Sequence, residues 1–255
     1  MLAKKRFGQN FLQDKAIIAR IVSTIAPQPT DILLEVGPGH GELTCLLVEQ
    51  AQWLHVVEID RDLIPGLSTL AAIHPILQVY NQDILEFDLA SIVPENTRLR
   101  VIGNLPYNIS TPLLFRLIEY KYLIQDIHVM LQLEVVERIV AAPNTEHYGR
   151  LSVMIQYHCS VQKLMNVPPS AFNPAPQVDS AVVRLMPFDK PPIEAKNYKL
   201  FYDVVKIAFS QRRKMIRNTL KPLLNEAAIE ALGISPLARA ETLSLADYVK
   251  IANSL

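Results

Sequence analysis

Residues 103–107 read Gly-Asn-Leu-Pro-Tyr and close the apolar β-type run Leu99–Ile102. A side-chain amide, a carbonyl followed by proline and an aromatic ring suit one task, gripping an exocyclic amino group on a flat base. The lone pair of an adenine amino group is delocalised into the ring. It attacks a methyl donor well only when acceptors hold both N–H bonds and favour a tetrahedral nitrogen. Asn104 Oδ1 and the Leu105 carbonyl are the candidate acceptors. Pro106 has no N–H and keeps Leu105 extended, which frees that carbonyl from regular pairing. Tyr107 would stack on the base. Buried acceptors left unpaired cost roughly 1–3 kcal/mol each, so the same atoms would reject bases lacking two donors. The pattern points to methylation of an adenine nitrogen, against the plainer reading of a strand end and a proline turn.

Such a pair needs a methyl donor beside it. Upstream, Ile32-Leu-Leu-Glu-Val36 runs into Gly-Pro-Gly-His-Gly (37–41) and then Glu42–Glu49, with apolar residues at helical spacing. Strand, glycine turn and helix start make the first half of a dinucleotide-type βαβ unit, where glycines let the backbone approach a ligand. Glu58 ends the next strand, about twenty residues after the first glycine, where a carboxylate can take both ribose hydroxyls. Asp83 follows a third short run and could accept from the adenine amino group of a cofactor. The spacing is G-x-G-x-G rather than the pyrophosphate pattern, and no Lys or Arg lies between Asp31 and Asp60. From Asp31 to Arg100 there are eleven Asp/Glu against three Lys/Arg. A phosphate-free cationic nucleoside, S-adenosylmethionine, suits that surround better than NAD.

Half of the 255 residues are apolar, ample for a buried parallel sheet plus an appendage. Strands are predicted near 32–36, 54–59, 76–80, 99–103, 126–132, 161–167 and 179–186, and helices near 13–26, 41–52, 61–71, 111–120, 134–141 and 149–159. The last two strands flank a proline-rich turn, which predicts an antiparallel pair at one sheet edge. After Lys190-Pro-Pro192 only helical patterns follow. The expected division is residues 1–187, a donor-binding domain, and 188–255, a small helical RNA-binding domain. Cys45 and Cys159 show no metal or disulfide spacing and are expected as buried free thiols. The N-terminus is basic without an apolar leader region, and no apolar stretch is long enough to span a bilayer, so a cytoplasmic protein is expected. No metal is implied, and a monomer is the default.

Formal net charge is zero, but it is segregated. Lys4, Lys5 and Arg6 open the chain, and residues 190–221 hold nine Lys/Arg against Glu194 and Asp203. Gln211-Arg-Arg-Lys-Met-Ile-Arg217 predicts Arg213 and Arg217 four apart on one helix, with Arg212 and Lys214 beside them, as a stripe for a phosphate backbone. A solvated helix face is the alternative. In the loop 170–180, Phe172 could offer a second aromatic face to a flipped base or pack as a satellite of the core.

Together, Lys5-Arg-Phe-Gly-Gln-Asn-Phe-Leu12, Glu35-Val-Gly-Pro-Gly39, Asn104-Leu-Pro-Tyr107, Tyr148-Gly-Arg-Leu-Ser152, Ala171-Phe172 and Gln211-Arg-Arg-Lys214 resemble, almost end to end, the ribosomal RNA adenine N6,N6-dimethyltransferases of the KsgA type. These are relatives of erythromycin-resistance methylases and of a mitochondrial transcription factor. The resemblance implies an α/β, Rossmann-like S-adenosylmethionine-dependent methyltransferase fold, with a seven-stranded, mostly parallel sheet, an antiparallel edge and a helical C-terminal domain. It also implies dimethylation of two adjacent adenines in a hairpin near the 3′ end of small-subunit (16S) rRNA in a pre-30S particle, linked to late subunit assembly. By matching motif, cofactor contacts fall on Asn10, Leu12, Gly37, Glu58, Asp83 and Asn104, and the target-adenine pocket on Asn104, Leu105, Tyr107 and Phe172. His40 has no assigned role beyond a solvent-facing loop residue. A non-catalytic RNA-binding assembly or transcription factor on the same scaffold is the competing expectation.

Overall fold

The computed structural model describes residues 9–106, 109–211 and 213–255. Lys4, Lys5, Arg6, Tyr107 and Arg212, named above as candidates, lie outside the described residues. The chain divides into two units, Met1–Val136 with Gln162–Pro187, and Glu137–Val161 with Phe188–Leu255.

In the first unit, β1 (Phe11–Leu12) precedes α1 (Lys15–Ile25). Asp14 caps that helix by accepting from the backbone N–H groups of Ala16 and Ile17, and Ile18, Ile21, Val22 and Ile25 bury one face. Ala26 ends it in a left-handed conformation just before Pro27. Then come β2 (Ile32–Val36), α2 (Thr44–Leu47), β3 (Trp53–Glu58), α3 (Ile64–Ile73), β4 (Leu77–Asn81), β5 (Leu99–Asn104), α4 (Ser110–Glu119) and β6 (Ile124–Gln132). All five β2 residues are buried, as a central parallel strand covered on both faces requires. After α5 (Leu133–Val140) and α6 (Arg150–His158), the strands β7 (Cys159–Val167), β8 (Phe172–Asn173) and β9 (Ser180–Pro187) complete the sheets.

The main sheet has seven strands in the order β4-β3-β2-β5-β6-β9-β7, parallel from β4 through β6. The reversed strand β9 is antiparallel to β6 and lies one place in from the edge strand β7. β1 and β8 form a separate antiparallel pair, Leu12 opposite Phe172. Chain order turns at β2, whose neighbours are β3 on one side and β5 on the other. The carboxyl ends of β2 and β5 therefore flank the switch point, where open α/β sheets bind ligands.

Two features hold β5 in place at its two ends. Gly103 of β5 pairs with Val36 of β2 so closely that a Cβ would lie 2.7 Å from the Val36 carbonyl oxygen and 2.9 Å from the Leu105 side chain. Gly103→Ala should lower stability by about 1–3 kcal/mol by overpacking, read as a lower urea midpoint at unchanged slope. At the opposite end of β5, buried Arg100 binds Asp126 of β6 through Nε and Nη2 (3.0 and 2.9 Å), Asp31 at 2.7 Å, and the carbonyls of Ile25 and Ala26 at the end of α1.

The second unit is built on aromatic packing. The Tyr157 ring of α6 stacks on Phe201 of α7 (Tyr198–Ala208), centroids 4.4 Å apart, and Phe209 lies against both Tyr148 and Tyr248. The remaining helices are α8 (Ile216–Thr219), α9 (Glu226–Ala231) and α10 (Leu245–Asn253).

Four expectations need correction. A single domain boundary at 187 puts residues 137–161 in the first domain, whereas they pack with the C-terminal helices because the apolar face of α6 is buried against α7 and α10. The helix expected over 41–52 contracts to Thr44–Leu47 between turns, since Gly41 at φ +89° is outside helical space. The helix expected to carry Arg213 and Arg217 together does not form. Arg213 and Lys214 lie in a turn, Met215 bridges Arg239, and helix begins only at Ile216. Cys159 is buried as expected, but Cys45 is exposed; both are free.

Candidate active site

A cleft of roughly 980 Å³, counted with its open mouth, lies at the switch point of the first unit. Gly37 and Gly39 of the glycine turn, Glu58 and Ile59 after β3, Asp83 and Ile84 after β4, and Asn104, Leu105 and Pro106 after β5 form its wall, with Gln9, Asn10 and Phe11 contributing from the N-terminal side. Gly37 and Gly39 have φ of +66° and +64°, and a Cβ on Gly39 would lie 3.0 Å from the Phe11 ring. A side chain on Gly39 would therefore be strained by the positive φ and crowded against that ring.

Asn104 is oriented by its surroundings. Its Nδ2 donates to the Asn10 carbonyl at 2.9 Å, which turns Oδ1 to the opposite side of the amide, and among the described residues no donor meets that oxygen. Leu105 donates its backbone N–H to the Met130 carbonyl at 3.2 Å and buries its side chain, anchoring the segment that carries the second candidate acceptor.

The other wall is acidic. Glu58 is buried and accepts from the N–H groups of Asp60 (2.8 Å) and Gly39 (3.3 Å); burial raises its pKa, with those bonds working the other way. Among the described residues, the cleft lining contains Glu58 and Asp83 and no Lys or Arg. That donor set fits a phosphate-free cation bearing a ribose, because carboxylates can accept from hydroxyls and amines and leave positive charge uncontested.

Glu35, unassigned in the sequence beyond its place in the strand, sits fully buried at the end of β2 and accepts from Thr44 Oγ1 at 2.6 Å. Burial pushes its pKa up to about 7, opposed by the Thr44 bond and reinforced by Glu42 and Glu58. Because the folded value is the raised one, the unfolded chain ionises first, and stability should fall by about 3 kcal/mol between pH 4.5 and 7. Glu35→Gln keeps an acceptor for Thr44, so urea unfolding at pH 5 and pH 8 should show that decrement in the wild type and a clearly smaller one in the variant, where the raised Glu58 remains.

Of the sequence candidates, Asn10, Gly37, Glu58, Asp83, Asn104 and Leu105 meet at the cleft. Leu12 and Phe172 do not; both are buried in the core cluster with Ala171, Met165 and Val167, since the β1–β8 pairing turns their side chains inward. His40 is exposed, and its ring lies 4.3 Å from that of Phe11. Gln9, which donates to Asp60 at 2.9 Å, was missed, as were Phe11 and Ile59. Asp60 follows Glu58 by two residues, a spacing that could have drawn attention to the pair. Of the RNA candidates, Arg213 and Lys214 are exposed, and Arg217 reaches Glu226 at 3.4 Å.

A family model described as ribosomal RNA adenine dimethylase matches residues 1–255. The chain is 52% identical over 253 residues to ribosomal RNA small subunit methyltransferase A of Pseudomonas aeruginosa, covering 99% of this chain and 94% of that protein. To the protein of the same name from Methylobacillus flagellatus it is 52% identical over 254 residues, 100% and 98% covered. Among solved structures, a dimethyladenosine transferase from Plasmodium falciparum superposes with a TM-score of 0.83 at 26% identity, covering 94% of this chain and 95% of that one. The 23S rRNA methyltransferase ErmE does so with a TM-score of 0.75 at 28% identity, covering 95% and 98%.

Proposed function

Because this chain belongs to the ribosomal RNA adenine dimethylase family, we propose that it dimethylates N6 of two adjacent adenosines in a hairpin near the 3′ end of small-subunit rRNA, in a pre-30S particle, with S-adenosylmethionine as donor. The observation that carries this reading is the placement of Asn104 at the switch point, its amide N–H taken by Asn10 and its oxygen left to accept.

Bound in the cleft, S-adenosylmethionine supplies an electrophilic methyl on a positively charged sulfur. Glu58 would take the ribose hydroxyls, Asp83 the adenine amino group, and Gly37 and Gly39 would let the backbone close on the remainder. Asn104 Oδ1 and the Leu105 carbonyl hold the N–H bonds of the target, so its nitrogen keeps a lone pair directed at the methyl. With the sulfur as a neutral leaving group that would take the C–S electron pair, Asn104 Oδ1 and the Leu105 carbonyl would hold the alkylated nitrogen until its proton leaves. Orientation and fixed dipoles suffice for such a displacement, and no side chain need act as nucleophile. Tyr107 would stack on the base and leave room for the monomethyl product. The second unit would grip the RNA, and the protein would act as a monomer in the cytoplasm; no helix among the described residues is long and apolar enough to cross a membrane.

The test is methyl incorporation from labelled donor into immature 30S particles, followed by mass spectrometry of the digested rRNA. Dimethyladenosine at two adjacent positions is expected. No incorporation, or label confined to other bases, overturns the reading. Calorimetry should show tight binding of S-adenosylhomocysteine and none of NAD.

A further inference from the structure

Within Tyr148-Gly-Arg-Leu-Ser152, two polar members are explained by the fold. Tyr148 is buried against Phe209, and Ser152 Oγ donates to the Arg138 carbonyl and accepts from the Gly149 N–H. Arg150 is left over. Its guanidinium lies 4.7 Å from the centroid of the Tyr202 ring on α7, and none of its N–H donors meets a protein acceptor among the described residues. A guanidinium laid on an aromatic face is weakly hydrated and already ordered, and its donors remain in the plane of the fork, the geometry that grips a phosphate through two oxygens.

Lys199 and Lys206 stand three residues before and four after Tyr202, so they share its helix face; both are exposed and in no ion pair among the described residues. Asp203 is the acid beside them on α7, and it too forms no ion pair there. Three uncommitted cations around one ring outweigh that single carboxylate.

We propose that Arg150, seated on Tyr202 and flanked by Lys199 and Lys206, is a contact for the RNA phosphate backbone, separate from the Arg213–Lys214 turn. The inference rests on the RNA-substrate reading above and assigns it a place on the second unit. This grip positions the particle and carries no base specificity.

The experiment measures binding of the full-length protein to immature 30S particles across a salt series, with calorimetry of S-adenosylhomocysteine and a thermal melt on each variant. Arg150→Gln should weaken binding about tenfold, and the double variant Lys199→Gln/Lys206→Gln should flatten the log–log salt slope by about 1.5, the share of two phosphate contacts. Tyr202→Phe keeps the ring and should bind like wild type, whereas Tyr202→Leu should behave like Arg150→Gln. Cofactor affinity and melting temperature should not move. Wild-type affinity and slope in the lysine and Arg150→Gln variants would overturn this contact while leaving the proposed function standing. Weakened binding at an unchanged slope would point to a protein partner and overturn it as well. If the wild type itself fails to bind particles, the substrate reading falls first.

Discussion

Asn104→Ala should lower methyl transfer to immature 30S particles by about 10²–10³-fold under single-turnover conditions. The magnitude follows from what a preorganised partner of the reacting group is worth in a water-poor site. Oδ1 is pre-aimed because Nδ2 is held by the Asn10 carbonyl at 2.9 Å, so it costs no reorganisation when the target nitrogen changes shape. Truncation removes the acceptor and also the Nδ2 donor to the Asn10 carbonyl. Affinity for S-adenosylhomocysteine should fall only a fewfold, since Glu58, Asp83 and the glycine turn remain in the wall. The loss should therefore appear in the rate at saturating particle concentration rather than in KM. A variant transferring methyl within threefold of wild type would remove Asn104 from the mechanism. Transfer equal to wild type, with neither showing any, would instead support the non-catalytic assembly factor.

The largest expected effect on stability is at Arg100. Removing it, as Arg100→Ala, leaves Asp126 and Asp31 largely buried without their cation, and the Ile25 carbonyl without its donor. Breaking such a pair from one side costs about 3–5 kcal/mol, far more than the net worth of the intact pair. Burial alone would raise the Asp126 pKa, but His128 and Arg100 together hold it below the ordinary carboxylate value. A carboxyl depressed in the folded state stabilises above its unfolded pKa and loses that contribution as pH falls. The deficit of Arg100→Ala should accordingly be largest near pH 7 and shrink on acidification toward pH 4, as protonation relieves the stranded acid. Urea unfolding of both proteins at the two values checks this, and a deficit independent of pH would show that Asp126 is not the group left uncompensated.

Much of the first unit was legible in the chain because its signals are local. Ile32–Val36 is apolar except for Glu35 since it is buried on both faces, and the glycines at 37 and 39 stand where φ is positive. Glu58 and Asn104 end β3 and β5 and Asp83 follows β4, so parallel order alone brings them to one edge. The composition of that edge, acidic and, among the described residues, without Lys or Arg, also follows from residue types read in order. Partnerships across long separations were not legible. Arg100 with Asp31, Asn104 with Asn10, and Gln9 with Asp60 join residues 69, 94 and 51 positions apart, and nothing in either partner's neighbourhood encodes the other. Phe172 shows the same limit in reverse. As a letter in a proline-rich loop it could face a base or the core, and its pairing opposite Leu12 puts it in the core. The basic segment at 211–217 has helical letters, yet the Met215–Arg239 bridge draws it into a turn, and the stacked Arg150 that presents its donors beside two lysines exists only because α6 packs on α7. Periodicity and backbone preference act over a few residues and can be read in order; packing decides which distant polar groups find each other, and that is settled only when the elements close on a common core.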